Sequence, residues 1–130
     1  MVLDAKFMEL AAEGKVRGLE YGIGSAQDEV IAKWGKPHEI GSRQVEFQRW
    51  HNVQMYFWQP DNRVGAIRVI GDSLPYTLPE IKKALGKPDN EVDGVDGVWL
   101  LYYVSGDYGL YIDATSKDGQ AESLMLKKKS

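Results

Sequence analysis

The chain states one local pattern twice, and that repetition limits what it can fold into. Glu29-Val30 is followed by Trp34-Gly35-Lys36-Pro37, and Glu80-Ile81 by Leu85-Gly86-Lys87-Pro88. The offset is 51 positions from Glu29 to Glu80 and again from Gly35 to Gly86. Each copy reads as a short amphipathic helix. Ala26, Val30 and Trp34 share one face of the first, and Leu78, Ile81 and Leu85 one face of the second. Gly suits the left-handed position past a helix end, and a Pro two residues on prevents continuation. Upstream, Ser25 with Asp28 approximates a capping box, and Thr77 with Glu80 completes one.

After each helix the apolar period falls from about 3.6 to 2, which signals strands. In the first copy the strands run near Val45–Gln48, Val53–Trp58 and Ile67–Ile70, with turns at His51-Asn52 and Pro60-Asp61-Asn62. In the second they run near Val98–Val104, Gly109–Ala114 and Ala121–Lys127. Laid over each other, Val45 and Phe47 match Leu100 and Tyr102, Met55 and Phe57 match Leu110 and Ile112, and Ile67 and Val69 match Leu124 and Leu126. The extra residues of the second copy are placed most simply in the Asn90–Gly97 loop. Ahead of both copies, Leu3, Phe7, Leu10 and Ala11 make one stripe of a helix over Val2–Glu13, with Asp4 as N-cap and Gly14 past its end.

The expected fold is α+β: a tandem duplication of a helix plus a three-stranded antiparallel meander, preceded by an N-terminal helix, with the helices on one face of the sheet. All 130 residues form one domain. Residues 1–20 hold the first helix and its connector, 21–71 repeat one and 72–130 repeat two.

Charge narrows the partners. Sixteen Lys and Arg against nineteen Asp and Glu leave a formal charge of −3, without the basic footprint of a dedicated nucleic-acid binder. Lys127-Lys128-Lys129 reads as a solvated terminus. With no cysteine, disulfides and thiol chemistry are excluded. No apolar stretch reaches membrane-spanning length, and no secretory signal opens the sequence.

The helix, Gly-x-Pro stop and meander together resemble the β-lactamase-inhibitor-protein-like architecture, of which SmpA-like outer-membrane lipoproteins use one unit. Gly14-Lys15-Val16 with Gly18, Gly22-Ile23-Gly24, Asp28-Glu29-Val30 and Trp34-Gly35-Lys36-Pro37 resemble more closely the YjgB-like family of exported or lipid-anchored Gram-positive proteins. That resemblance implies a location outside the cytoplasmic membrane, with a signal peptide or lipid anchor in the full-length protein. It implies no catalytic residues and no cofactor.

The strongest site candidate is the sheet face opposite the helices. Alternation assigns Tyr56 and Trp58 to it in repeat one, and Trp99, Leu101, Tyr103 and Tyr111 in repeat two, with Glu46, Gln48, Arg68 and Asp113 among them. Tyr56, Trp58, Arg68, Trp99, Tyr103, Tyr111 and Asp113 are the expected binding residues: rigid rings as anchors, charges for orientation. The expected function is a non-enzymatic extracytoplasmic domain that binds a protein partner or a cell-wall glycan. Two alternatives stand beside it, a cell-wall hydrolase using Asp or Glu with His38 or His51, and a structural homodimer. The remaining motifs favour ordinary roles. The repeated Gly-Lys-Pro is stop chemistry, Gly22-Ile23-Gly24 a helix lead-in, and Asp89–Asp96 an acidic loop with at most a weak calcium site.

Overall fold

The structure is a computed structural model that describes residues 2–37, 39–43, 45–58, 61–93 and 97–129; the side chains at 39, 42, 43, 45–47 and 72 are not described. Three helices, α1 (Ala5–Ala11), α2 (Gln27–Trp34) and α3 (Leu78–Leu85), accompany eight strands. These are β1 (Glu39–Arg43), β2 (Val45–Trp50), β3 (Val53–Trp58), β4 (Arg63–Ile70), β5 (Asn90–Asp93), β6 (Trp99–Ser105), β7 (Tyr108–Ala114) and β8 (Ser123–Lys128). They form one antiparallel sheet in the order β1-β2-β3-β4-β8-β7-β6-β5. The α+β class and the helix–meander alternation are as the sequence predicts. Each meander has one strand more than expected, because β1 and β5 pair ahead of β2 and β6.

The strand order reads the same from either edge, and the hydrogen bonds repeat with it. Ala26 bridges Arg63, and Thr77 bridges Gln120. Val64 N–H donates to the Ser25 carbonyl at 2.9 Å, and Ala121 N–H donates to the Tyr76 carbonyl at 2.8 Å. Helix entries therefore correspond at 51 positions and the last strands at 57 (Ala26 with Thr77, Arg63 with Gln120). Carried along the ladders, Val69 corresponds to Leu126, Val53 to Leu110 and Trp50 to Tyr103. The middle strands thus match two residues away from the sequence-based overlay, with Met55 opposite Ile112 in the correspondence. The insertion is also placed differently. Two extra residues precede β6, and four lengthen the β6–β7 hairpin, which closes at Ser105 and Tyr108 rather than directly after Tyr103.

The helix ends follow the same correspondence. Thr77 is the α3 N-cap with a complete capping box, worth about 1 kcal/mol. Its counterpart Ala26 caps α2 with no side-chain bond, one residue after the expected Ser25; Ser25 Oγ instead accepts from Gly22 N–H at 3.2 Å. Strand-like pairing of Ser25 with Val64 sets the α2 start one residue later than its side chains suggest. Gly35 and Gly86 end the helices at φ 82° and 89°. A Cβ at either would meet nothing within 4 Å, so the backbone angle alone demands glycine. Asp4 caps α1 as predicted, accepting from Phe7 N–H at 3.0 Å.

One face of the sheet carries the core. Phe7, Val30, Leu78 and Ile81 from the helices bury against Met55, Phe57, Ile67, Leu110, Ile112, Leu124 and Leu126. The β4–β8 seam joins the halves through Ile67 opposite Leu126 and Val69 opposite Leu124, so both repeats share this core. No described helix is long and apolar enough to cross a membrane.

Candidate functional site

The opposite sheet face carries no helix among the described residues. Register lines up one row across six strands: Arg49, Gln54, Arg68, Met125, Tyr111 and Tyr102. At about 4.8 Å per strand the row spans roughly 24 Å. Beside it run Tyr56, Ala66, Lys127 and Gly109. Tyr102 and Tyr111 sit with ring centroids 4.8 Å apart, inclined at 46°. Lys127 Nζ lies 5.0 Å from the Tyr111 centroid, within cation–π range. Gly109 makes room for the pair, since a Cβ there would come within 2.9 Å of Tyr102 and 3.1 Å of Tyr111. Burial first, and Tyr102 second, push the Tyr111 phenol above its ordinary range. Tyr56 O–H donates to Gln54 Oε1 at 3.3 Å, and Ser123 Oγ donates to Asp113 Oδ1 at 2.8 Å.

Trp58 closes the repeat-one end of this face. Its side chain is 46% exposed and lies directly against Gly65. The register slips between Tyr56 and Phe57, so Tyr56 opposes Ala66 while Phe57 opposes Val64, and Gly65 is the extra residue. Arg63, opposite Trp58, donates to the Gly24 carbonyl at 2.8 Å. Arg49, Arg63, Arg68 and Lys127 thus share a face on which Asp113 is the one carboxylate whose side chain is described, although the whole chain is acidic.

The structure brings Tyr56, Trp58, Arg68, Tyr111 and Asp113 onto this face and moves the other expected residues. Tyr103 is 2% exposed within the core, and its O–H donates to the Gly86 carbonyl at 2.8 Å. Leu101 is fully buried beside it. Trp99 faces the helical side, packs on the core and donates through Nε1 to Glu91 Oε2 at 2.6 Å; Lys82 Nζ lies 2.7 Å from the same carboxylate. Gln48, expected among the open-face polar groups, is 5% exposed on the core side. The cause is the phase of β6. Residues 98–104 are apolar at every position but for two phenol groups, so alternation gives no direction, and the strand turns the other way up. Tyr102 therefore joins the site in place of Trp99 and Tyr103, and Lys127 of β8 joins it beside Tyr111. Cross-strand register was needed to find Tyr102, whereas alternation from Leu124 and Leu126 already points Lys127 to this face.

The remaining expectations resolve individually. His38 lies outside the described residues, and His51 is exposed in the β2–β3 turn at φ 51°. The segment from Asp89 is partly structured: Asp89 Oδ2 accepts from Val104 N–H at 2.7 Å, and Asn90–Asp93 form β5, while 94–96 lie outside the description. Among the described residues no group of three or more His, Asp or Glu is placed to hold a metal.

Sequence reading missed a second concavity. Tyr21, Trp34, Trp50 and Phe57 form an edge-to-face chain with centroid steps of 5.7, 5.5 and 6.5 Å. Trp34 and Trp50 wall a cleft of about 350 Å³ with Leu19, Val53, Lys36, His51, Asn52 and Ser73 around it. Both indole N–H groups point away into fixed bonds, Trp34 to Glu20 Oε1 at 3.1 Å and Trp50 to the Gly35 carbonyl at 2.9 Å.

These features define a single-sheet α+β domain with one helix-covered face and one open face that is aromatic and basic. The chain belongs to the DUF4309 family, a domain of unknown function, which matches residues 5–124. Among solved structures it is similar to a DUF4309 family protein (YjgB) from Bacillus subtilis subsp. subtilis str. 168, at 18% identity and TM-score 0.68, covering 97% of this chain and 98% of that one. It is also similar to an extracellular protein containing a SCP domain from Bacillus anthracis str. Ames, at 12% identity and TM-score 0.61. A third is a cysteine-rich secretory protein from Staphylococcus aureus subsp. aureus Mu50, at 12% identity and TM-score 0.55. Each of these two covers 82% of this chain, which spans only 44% and 43% of theirs. No curated protein matches the sequence.

Proposed function

We propose that this is a non-enzymatic extracytoplasmic binding domain that recognises a protein partner, or a glycan, through its open sheet face. The observation that carries the reading is the Tyr102–Tyr111–Lys127 cluster on a face that no described helix covers. Two rings inclined at 46°, one of them beneath a cation, form a rigid amphipathic platform at low entropic cost on binding. Tyr56 and Trp58 extend it toward repeat one, and Arg68 and Asp113 supply orienting charge. The extracytoplasmic placement draws support from the extracellular protein among the structural neighbours.

The test uses a Tyr102→Ser/Tyr111→Ser/Lys127→Glu variant, whose side chains lie outside the core. Parent and variant are compared on a glycan array, on purified peptidoglycan and in partner capture from cell-surface extract, after thermal melts establish folding. Loss of a parent-specific partner or glycan in the folded variant supports the reading. Identical recovery by both proteins removes it.

A further inference from the structure

Three of the four tryptophans commit their indole N–H inside the protein: Trp34 to Glu20, Trp50 to the Gly35 carbonyl and Trp99 to Glu91. Trp58 makes no such bond among the described residues and is 46% exposed. A Cβ placed on Gly65 would lie 2.3 Å from Cδ2, 2.5 Å from Cε2 and 2.6 Å from Cγ of its ring. Three consecutively bonded ring atoms at nearly equal distance put that point above the ring plane rather than at its edge. The indole is therefore laid face-down on the glycine, and its opposite face is the one presented to solvent. The correspondence at 57 positions gives repeat two Thr115 and Glu122 at these places, so the shared scaffold does not call for a ring there.

Beside the ring lies a pit of about 250 Å³. Ile23 and the buried Val64 form its apolar wall, and the exposed Asp61, Arg63 and Lys128 its polar one. Arg63 commits Nη1 to the Gly24 carbonyl at 2.8 Å and keeps further guanidinium donors. The side chains of Asp61 and Lys128 form no hydrogen bond or ion pair among the described residues. The volume lies below the range of about 300–1,000 Å³ that suits drug-sized ligands, so the pit takes one small ring. Protein interfaces keep charged residues out of their cores, because a covering side chain strips water from the charges without replacing its bonds. Hydroxyl groups replace those bonds directly.

We infer that Trp58 and this pit are a saccharide subsite, in which one N-acetylated hexopyranose of a glycan chain stacks on the outer indole face. The C–H bonds of the sugar ring meet the π face of the indole. Its hydroxyls take Asp61 as acceptor and Arg63 and Lys128 as donors, and its acetamido methyl turns to Ile23. The chain continues from there over the open face toward Tyr56 and Lys127. The inference rests on the open-face reading and narrows its partner from protein or glycan to glycan.

The probe is chitotetraose, the β-1,4-linked tetramer of N-acetylglucosamine. It is titrated into the ¹⁵N-labelled full chain while the four indole N–H resonances are followed. The expected result is a saturable shift of the Trp58 resonance, with the other three unmoved and a Kd of about 1 mM or tighter. Trp58→Ala, read by the Arg63 amide, and Gly65→Ala, which keeps the indole but unseats it, should each bind about tenfold more weakly. Asp61→Ala, at an exposed position, should bind about fivefold more weakly. Thermal melts establish that each variant is folded. A Trp58 resonance that stays still at about 10 mM tetramer overturns the inference. So does equal affinity of the Trp58→Ala protein, and so does a captured protein partner that depends on Trp58 while the saccharide leaves it unmoved. The open-face reading is judged separately by the Tyr102/Tyr111/Lys127 variant, which leaves the pit intact. Binding that this variant loses and Trp58→Ala keeps overturns the subsite alone.

Discussion

Trp50 and Tyr103 perform one task in the two halves of the sheet: each donates its side-chain proton to the carbonyl of the glycine that ends a helix, Gly35 at 2.9 Å and Gly86 at 2.8 Å. A helix leaves its last carbonyls without intrahelical partners. Here a ring rising from the second strand of each meander satisfies one of them from below. The bond ties helix to sheet and fixes their spacing at the Gly-Lys-Pro segment that ends each helix.

The phenol of that pair can be removed cleanly. Tyr103→Phe keeps the ring and leaves the Gly86 carbonyl short of a donor. The expected loss is about 1–2 kcal/mol, read as a lower urea midpoint with unchanged m. A variant as stable as the parent would show the bond to be incidental.

The same phenol gives the protein an alkaline limit. Burial first, then the Glu91 and Asp89 charges, raise the Tyr103 pKa from 10.0 to about 12. A raised acid holds its proton longer in the folded state, so its contribution is complete below pH 10. It falls away as pH climbs from about 10 to about 12. That rise corresponds to ~2–3 kcal/mol. Melts across this range should show the parent losing stability faster than Tyr103→Phe, and parallel profiles would contradict the assignment.

Gln48 is the weak point of repeat one. Its Oε1 is buried with no hydrogen-bond partner among the described residues, and the corresponding residue in repeat two is the fully buried Leu101. Gln48→Leu should therefore stabilise the protein by about 1–2 kcal/mol. A lowered melting temperature would mean that the amide has a partner after all.

Trp58 and Gly65 form a matched pair. A Cβ on Gly65 would lie 2.3–2.6 Å from the Trp58 ring, so Gly65→Ala must expel the indole. We expect a cost of about 1–3 kcal/mol in the parent and much less in a Trp58→Ala background. Additive losses in the double-mutant cycle would show that the two do not touch in solution.

Glu91 carries the acid-side counterpart. The Lys82 hydrogen bond first, and the Trp99 indole second, hold its carboxyl below the usual 4.5. Its contribution is present above that value and lost as pH falls through the lowered pKa. Glu91→Gln keeps an acceptor for Trp99 and removes the charge. It should cost about 1 kcal/mol at neutral pH, with the gap closing in acid. A gap that persists at pH 2–3 would place the effect elsewhere.

Most of the scaffold was legible because helix stops and turns are written in local chemistry. Gly35-Lys36-Pro37 and Gly86-Lys87-Pro88 announce the helix ends, and Leu110, Tyr111 and Ile112 alternate cleanly enough to give β7 its correct faces. The failures share one cause, which is that tertiary pairing carries information a local pattern lacks. β6 is apolar on both sides, so Tyr102 and Tyr103 could be exchanged without changing any count of residues, and the packing of Leu101 on the core decides between them. Ser25 has better capping chemistry than Ala26, but pairing of the lead-in with Val64 overrides it. The Trp34–Trp50 cleft draws its walls from residues 19 to 73, too far apart for any motif to register.

The seam between β4 and β8 has a consequence for synthesis. Each half ends in the strand that the other needs as its neighbour, and Ser123–Lys128 is the last strand of this sheet to be translated. Until it emerges, β4 and β7 stand as bare edges in the middle of an unfinished sheet, open to pairing with whatever extended chain is nearby. A product cut short before Ser123 would not behave as a smaller folded protein. It would present two sticky borders in place of one closed joint, and self-association rather than simple loss of activity would be its signature.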